Sequence, residues 1–213
     1  MTVGVVPLEG RDALPFAELH RQALFLHAVR ALLDVGALAG RVVVTADAGR
    51  VAEAAAALER AGLDVPVQDA DRWWGSLSGT LTVVLHDPLC PLVPASFLSG
   101  CLEDRSPDGE PVPALLAFRP VTDTIKTVVD ERIVDTLDRD RFAIVTSPVV
   151  FDHDGGGDRP SSTEDFAALA TWLRQRGPVG MRKAPSLGRR VDDPSAVNLL
   201  ECMDEMAHAV RAT

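Results

Sequence analysis

Short β-branched runs alternate with helical patterns through the first half of the chain. Thr2 to Val6 (TVGVV), Arg41 to Thr45 (RVVVT), Asp64 to Gln68 (DVPVQ) and Leu81 to Leu85 (LTVVL) are almost continuously apolar. Such runs suit strands buried on both faces of a parallel sheet. Between them Phe16, Leu19, Ala23, Leu26 and Leu33 recur at helical spacing, and the alanine-rich stretch Val51 to Ala61 stops at Gly62, a good helix terminator. The order is β-α-β-α-β, then a further strand. From Ala114 onward ALLAF, TIKTVV and RFAIVTS follow one another with turns and acidic residues between them, which predicts an antiparallel excursion. Phe151 to Ser162 (FDHDGGGDRPSS) reads as a loop, and Thr163 to Arg176 as a helix with Glu164 and Asp165 in its first turn. A last helix starts near Asp193 to Ser195 and runs towards Arg211. There is no internal repeat.

Composition narrows the picture. At 213 residues and 46% hydrophobic content the chain is long enough for one core, and a single domain spanning 1–213 is expected. The net charge of −10 opposes condensation on a phosphate backbone, so nucleic acid is an unsuitable partner. No segment approaches the roughly 20 apolar residues that span a bilayer, and no basic leader precedes an apolar run at the amino terminus. The expected location is the cytoplasm. Cys90, Cys101 and Cys202 are widely spaced and odd in number, the pattern of reduced, partly buried thiols. The acidic stretch Asp152 to Asp158 (DHDGGGD) lacks the spacing of a calcium loop, and position twelve of such a loop falls on Thr163.

Several segments, read in order, resemble the 2-C-methyl-D-erythritol 4-phosphate cytidylyltransferases, the IspD family. Leu85 to Pro94 (LHDPLCPLVP) is similar to that family's His-Asp-Ala-Ala-Arg-Pro segment, and Pro120 to Lys126 (PVTDTIK) to its Pro-Val-x-Asp-Thr-x-Lys. Thr136 to Arg139 (TLDR) resembles its Thr-x-x-Arg, and Thr146 to Phe151 (TSPVVF) its Thr-Pro-Gln-x-Phe. The resemblance implies an α/β, Rossmann-like nucleotidyltransferase sheet, mostly parallel and flanked by helices. It also implies an extended β-arm at about 121–141 that embraces a second subunit, hence a homodimer. The family reaction is attack of the phosphate of methylerythritol phosphate on the α-phosphorus of CTP, with Mg2+ assisting and pyrophosphate leaving. The partners implied are thus CTP and a polyol phosphate.

Carried over by position, the resemblance assigns polyol phosphate binding to Asp87, Thr124, Arg139, Ser147 and Thr163, with Asp87 placed to help position magnesium or substrate hydroxyls; the alternative is that Asp87 caps the turn after its strand. Charge accumulates on the transferring and leaving groups, so this chemistry demands fixed cations and backbone N–H donors at their oxygens. The family meets that demand with Ala-Ala-Gly-x-Gly-x-Arg and Pro-Lys. Here Pro7 to Leu19 (PLEGRDALPFAEL) is shorter and holds one glycine. Gly10 and Arg11 are the candidate nucleotide contacts, with Arg11 the one local cation for catalysis; the alternative is a plain turn with Arg11 in solvent. Glu9 brings negative charge, and Phe16 stands where the family has lysine. In Asp69 to Leu77 (DADRWWGSL) Arg72 and Ser76 remain as candidate nucleotide contacts, while Trp73 and Trp74 either fill core space or stack on a base. Cys90 replaces an arginine and Asn198 a lysine. Arg139 grips phosphate across a dimer or pairs with Asp135 or Asp138; Lys126 is a solvated strand residue. Two functions follow: a divergent transferase with weakened or lost activity, or a silent homologue that binds a metabolite or pairs with another subunit.

Overall fold

The computed structural model describes residues 1–103, 105, 110–155, 159–160 and 162–211. The strands are β1 (Thr2–Pro7), β2 (Glu18–Leu19), β3 (Gln22–Ala23), β4 (Val42–Ala46), β5 (Val67–Asp69), β6 (Leu81–Leu85), β7 (Ala114–Pro120), β8 (Ile125–Val129), β9 (Arg132–Leu137), β10 (Ala143–His153) and β11 (Val179–Lys183). The helices are α1 (Leu24–Leu33), α2 (Val51–Arg60), α3 (Ala70–Ser76), α4 (Ala95–Glu103), α5 (Phe166–Arg174) and α6 (Pro194–Arg211).

Among the described residues seven strands form the main sheet in the order β11-β7-β10-β6-β1-β4-β5. β4 and β6 flank β1 in parallel, β5 joins β4 in parallel, and β11 lies parallel to β7. Only β10 runs against its neighbours β6 and β7. The apolar runs thus become the buried centre of a mostly parallel α/β sheet, as their continuity predicts. Alternation assigns each side chain to a face. Val6, Val44, Val84 and Val150 pack with Phe25, Val29 and Leu58 of α1 and α2. Val5, Val43, Val83 and Phe151 pack on the opposite side with Trp73, Trp74, Leu169 and Trp172. Trp73 and Trp74 are both buried in this core, in edge-to-face contact at 4.8 Å between ring centres, and Trp74 also lines a cleft at the strand ends.

Local chemistry moves several boundaries. The helical spacing that begins at Phe16 is realised only from Leu24, because Phe16 ends a 3-10 turn nucleated by Pro15 and Leu19 and Ala23 sit on the β2–β3 hairpin. Its two turn residues, His20 and Arg21, both have positive φ (49° and 61°), the geometry that closes a two-residue hairpin. α3 starts where Asp69 accepts from the Arg72 amide at 2.9 Å. α5 starts at Phe166, with Asp165 as its cap, accepting from the Ala167 and Ala168 amides, and so just before the first turn. Strand β10 continues to His153, so the loop expected from Phe151 begins later; residues 156–158 and 161 of it lie outside the described residues. α6 begins at Pro194 as expected, capped by Asp193. β8 and β9 leave the main sheet as a separate two-stranded hairpin within the segment 121–141.

Candidate functional site

In an open α/β sheet, ligands bind beyond the carboxyl ends of the parallel strands. Here that end carries Leu8 to Ala17 after β1, Asp47 after β4, and His86 to Leu89 after β6. Thr163 and Arg190 reach it from elsewhere in the chain.

Its centre is a buried ion pair. Arg11 Nε donates to Asp87 Oδ1 at 3.0 Å, and both side chains are 1% exposed. Arg11 Nη1 donates to the Glu9 carbonyl at 2.9 Å and to Thr163 Oγ1 at 3.3 Å, and Nη2 to the Thr163 carbonyl at 2.5 Å. Every guanidinium nitrogen therefore has a protein acceptor. On the other side Arg190 Nε donates to Asp87 Oδ2 at 2.9 Å, while its Nη1 reaches Asp192 at 2.8 Å. Asp87 also accepts from the Leu89 amide at 3.0 Å. Burial pushes its carboxyl pKa up, but Arg11 and Arg190 outweigh that and hold it below the ordinary carboxylate range.

Several amides of the loop after β1 are also bonded within the protein. Gly10 N donates to Asp47 Oδ2 at 3.4 Å, and the Arg11, Leu14, Phe16 and Ala17 amides donate to carbonyls within the loop itself. They do not converge on a common point as a phosphate cradle requires. Glu9 is held by hydroxyls, Thr45 Oγ1 at 2.9 Å and Thr163 Oγ1 at 3.1 Å. Two adjoining clefts open here, of about 270 Å³ and about 620 Å³. Glu9, Asp47, Asp71 and Glu164 line the first, and Asp12, Glu164, Asp192 and Asp193 the second. The cations beside them are Arg11, Arg159 and Arg190, each already paired, Arg159 with Asp71. The cleft is net acidic.

The structure gathers Gly10, Arg11, Asp87, Ser147 and Thr163 at this one place and leaves the other sequence candidates outside it. Arg11 is not solvated: it sits at the wall of the second cleft with its guanidinium bonded to protein acceptors. Ser147 is buried, its Oγ 2.5 Å from His86 Nδ1 and accepting from the Asp87 amide at 3.0 Å. Burial lowers the His86 pKa to about 4, so the imidazole is neutral. Thr124 and Arg139 are exposed at the base of the arm, where Arg139 donates to the Thr122 carbonyl at 2.6 Å. Arg139 pairs with neither Asp135 nor Asp138, whose carboxylates accept from the Thr136 and Asp140 amides. Arg72 faces a separate hollow beside Gln68 and Val51, and exposed Ser76 donates to the Trp73 carbonyl at 2.7 Å. Cys90 is a buried thiol pushed up to about 12 by burial, hence inert. Arg190, central to the site, carries no spacing signal in the sequence.

The magnesium ion that the resemblance implies at Asp87 does not fit these surroundings. A divalent cation needs free carboxylate oxygens, and both oxygens of Asp87 are enclosed between guanidinium groups. Among the described residues no cluster of three or more histidine, cysteine or acidic side chains has metal-binding geometry.

Gly10 holds the loop in place. Its φ is +73°, and a Cβ there would lie 2.6 Å from the Glu164 carboxyl group. Gly10→Ala is expected to cost about 1–2 kcal/mol, the penalty of a left-handed residue with a side chain. Urea unfolding measures it; an unchanged midpoint would contradict the assignment.

No protein-family model and no curated protein matches the sequence. Solved structures do share the fold. A 4-diphosphocytidyl-2C-methyl-D-erythritol synthase superposes with a TM-score of 0.71 at 16% identity, covering 94% of this chain and 96% of that one. The 2-C-methyl-D-erythritol 4-phosphate cytidylyltransferase of Thermus thermophilus gives 0.69 at 18%, covering 96% and 100%. A CMP:2-keto-3-deoxy-manno-octonic acid synthetase, solved in complex with CTP, gives 0.65 at 14%, covering 97% and 99%. The fold is that of the cytidylyltransferases.

Proposed function

We propose that this chain is a catalytically silent protein of cytidylyltransferase fold that acts by pairing with a second copy of itself through its arm. One observation carries the loss of catalysis: Arg11 and Arg190, the cations available at the strand ends, are spent on Asp87 while carboxylates line the clefts. A triphosphate entering there meets like charge, and the groups that would offset it are already bonded.

The arm supports the pairing half. Val128, Val129, Ile133 and Val134 stand exposed on it, Ile133 at 66%, and Phe142 and Ile144 are exposed beyond its base. A two-stranded hairpin is marginal on its own in water, and a row of exposed β-branched residues marks an interaction surface. Sedimentation analysis should find a dimer at micromolar concentration, and the double variant V128K/I133D should sediment as a folded monomer. A monomeric parent protein would remove the pairing half.

A second reading, cytidylyl transfer from CTP to methylerythritol phosphate or a related polyol phosphate, is favoured by the assembly of Asp87, Ser147 and Thr163 at one point. It requires Arg11 or Arg190 to leave Asp87 for the nucleotide, and a partner's arm to bring in Arg139. Under either reading nucleic acid is not a partner, given the charge of −10. No described helix is long and apolar enough to cross a membrane.

A further inference from the structure

We propose that the groove between the β2–β3 hairpin, α1 and α2 is a binding site for a small organic anion, a phosphomonoester or carboxylate carried on an apolar body. The groove measures about 610 Å³ and shares no lining residue with the strand-end clefts. Phe16, Leu26 and Ala57 supply apolar walls, and Arg21, Arg30 and Arg60 bring three guanidinium groups to it. Two carboxylates, Glu18 and Glu53, also line it, and Arg50 holds Glu53 at 3.0 Å. In a chain of net charge −10 this is a local reversal of sign.

The three arginines come from three elements, which fixes the shape of the site. Arg30 stands in the last turn of α1 and Arg60 in the last turn of α2. The helix dipole accounts for an arginine at each of those ends. It does not account for Arg21, at the tip of the hairpin with φ +61°. That tip is anchored from the far side by His20, whose ring nitrogens lie 3.1 Å from Glu201 and 3.1 Å from Asp204 of α6. Nor does the dipole explain why the Arg30 head group is left short of partners, its Nε buried without an acceptor and its Nη2 making one long bond to the Ala61 carbonyl at 3.4 Å. A buried donor without a partner is uncommon, and a groove lined by such a side chain favours an oxyanion. Guanidinium forks accept phosphate and carboxylate alike, while the apolar walls require the anion to carry a hydrophobic body. The inference stands apart from the fate of the triphosphate site: anion binding here neither needs nor excludes binding there.

The test titrates the protein with phenyl phosphate, phenylacetate and inorganic phosphate at low salt, following arginine Nε–H resonances by NMR and heat by calorimetry. The expected result is saturable binding of an aromatic anion with a shifted Arg30 Nε–H, and inorganic phosphate weaker by about tenfold or more. The tighter of phenyl phosphate and phenylacetate identifies the anionic group. Arg60→Glu, at an exposed position, should weaken binding by about tenfold or more, as should Arg30→Ala, while Arg190→Ala leaves it unchanged. Absence of saturation by all three probes up to about 10 mM would overturn the proposal. So would binding that survives Arg60→Glu and disappears with Arg190→Ala, since that would place the anion in the strand-end cleft.

Discussion

Replacing Asp87 by alanine should destabilise the fold by about 3–5 kcal/mol, the usual cost of removing one partner from a buried ion pair. The reason is what remains. Arg11 would keep a full charge at 1% side-chain exposure with only neutral oxygens bonded to it. For a chain of this length that loss corresponds to a melting temperature lower by roughly 10 °C. Arg190→Ala should cost less, about 1 kcal/mol, because its side chain is 25% exposed and water can replace part of what it gives. The same pair sets an acid limit. The Asp87 carboxyl titrates below its ordinary range in the folded protein, because the two arginines outweigh the opposing effect of burial. Its contribution is complete above the unfolded-chain value, about pH 4, and is lost as pH falls through the lower folded value. Asp87→Asn should therefore remove much of the pH dependence of stability on that acid limb. Thermal melts of both variants from about pH 7 down to pH 3 measure this; parental stability in Asp87→Ala would show that the pair holds nothing together.

The second large effect is on catalysis. With CTP, methylerythritol phosphate and magnesium, pyrophosphate release should stay at the uncatalysed background. Loss of a single preorganised donor to a developing oxyanion lowers a rate by about a hundred- to a thousandfold. Here the Arg11, Leu14, Phe16 and Ala17 amides are turned to the loop's own carbonyls and that of Gly10 to Asp47, and its arginine is enclosed. Restoring charge at one position will not recover the reaction. Phe16, where the resemblance expects lysine, is fixed in the fold, 5.2 Å from the Phe25 ring with Arg50 stacked 5.3 Å from its centre. Phe16→Lys should lower stability without yielding turnover. A coupled pyrophosphate assay on the folded protein decides it, and steady release above background would restore the transferase reading.

The sheet was legible in the sequence wherever burial on both faces leaves a continuous apolar run, as in β1, β4 and β6. It was poorly legible at the edges. β11 (VGMRK) is an edge strand that alternates apolar and charged or glycine residues, and β5 is cut to three residues behind Pro66. The helix expected from Phe16 does not form there because an apolar period of 3.6 is indifferent to Pro15 and to a hairpin turn at His20 and Arg21. α3 was hidden because its polar start and paired tryptophans look like a loop until Asp69 is recognised as its cap. At the site, Asp87 was marked by its place just after a strand, and Gly10 by its rarity in a loop that resembles a glycine-rich one. The fate of Arg11 was not readable. An arginine looks the same in sequence whether it faces solvent, a ligand or a carboxylate 76 positions away. Arg190 joins from 103 positions away with no local pattern to announce it. Long-range pairing of charge, which decides the chemistry here, leaves no periodic trace.

The most direct test of the central claim is calorimetric titration of the purified protein with CTP in the presence of magnesium. The account predicts no saturable heat up to about 1 mM nucleotide, with Arg11 still bonded to Asp87 in crystals soaked under the same conditions. Magnesium-dependent binding at about 10 µM or tighter, with Arg11 or Arg190 swung onto the phosphates, would contradict it.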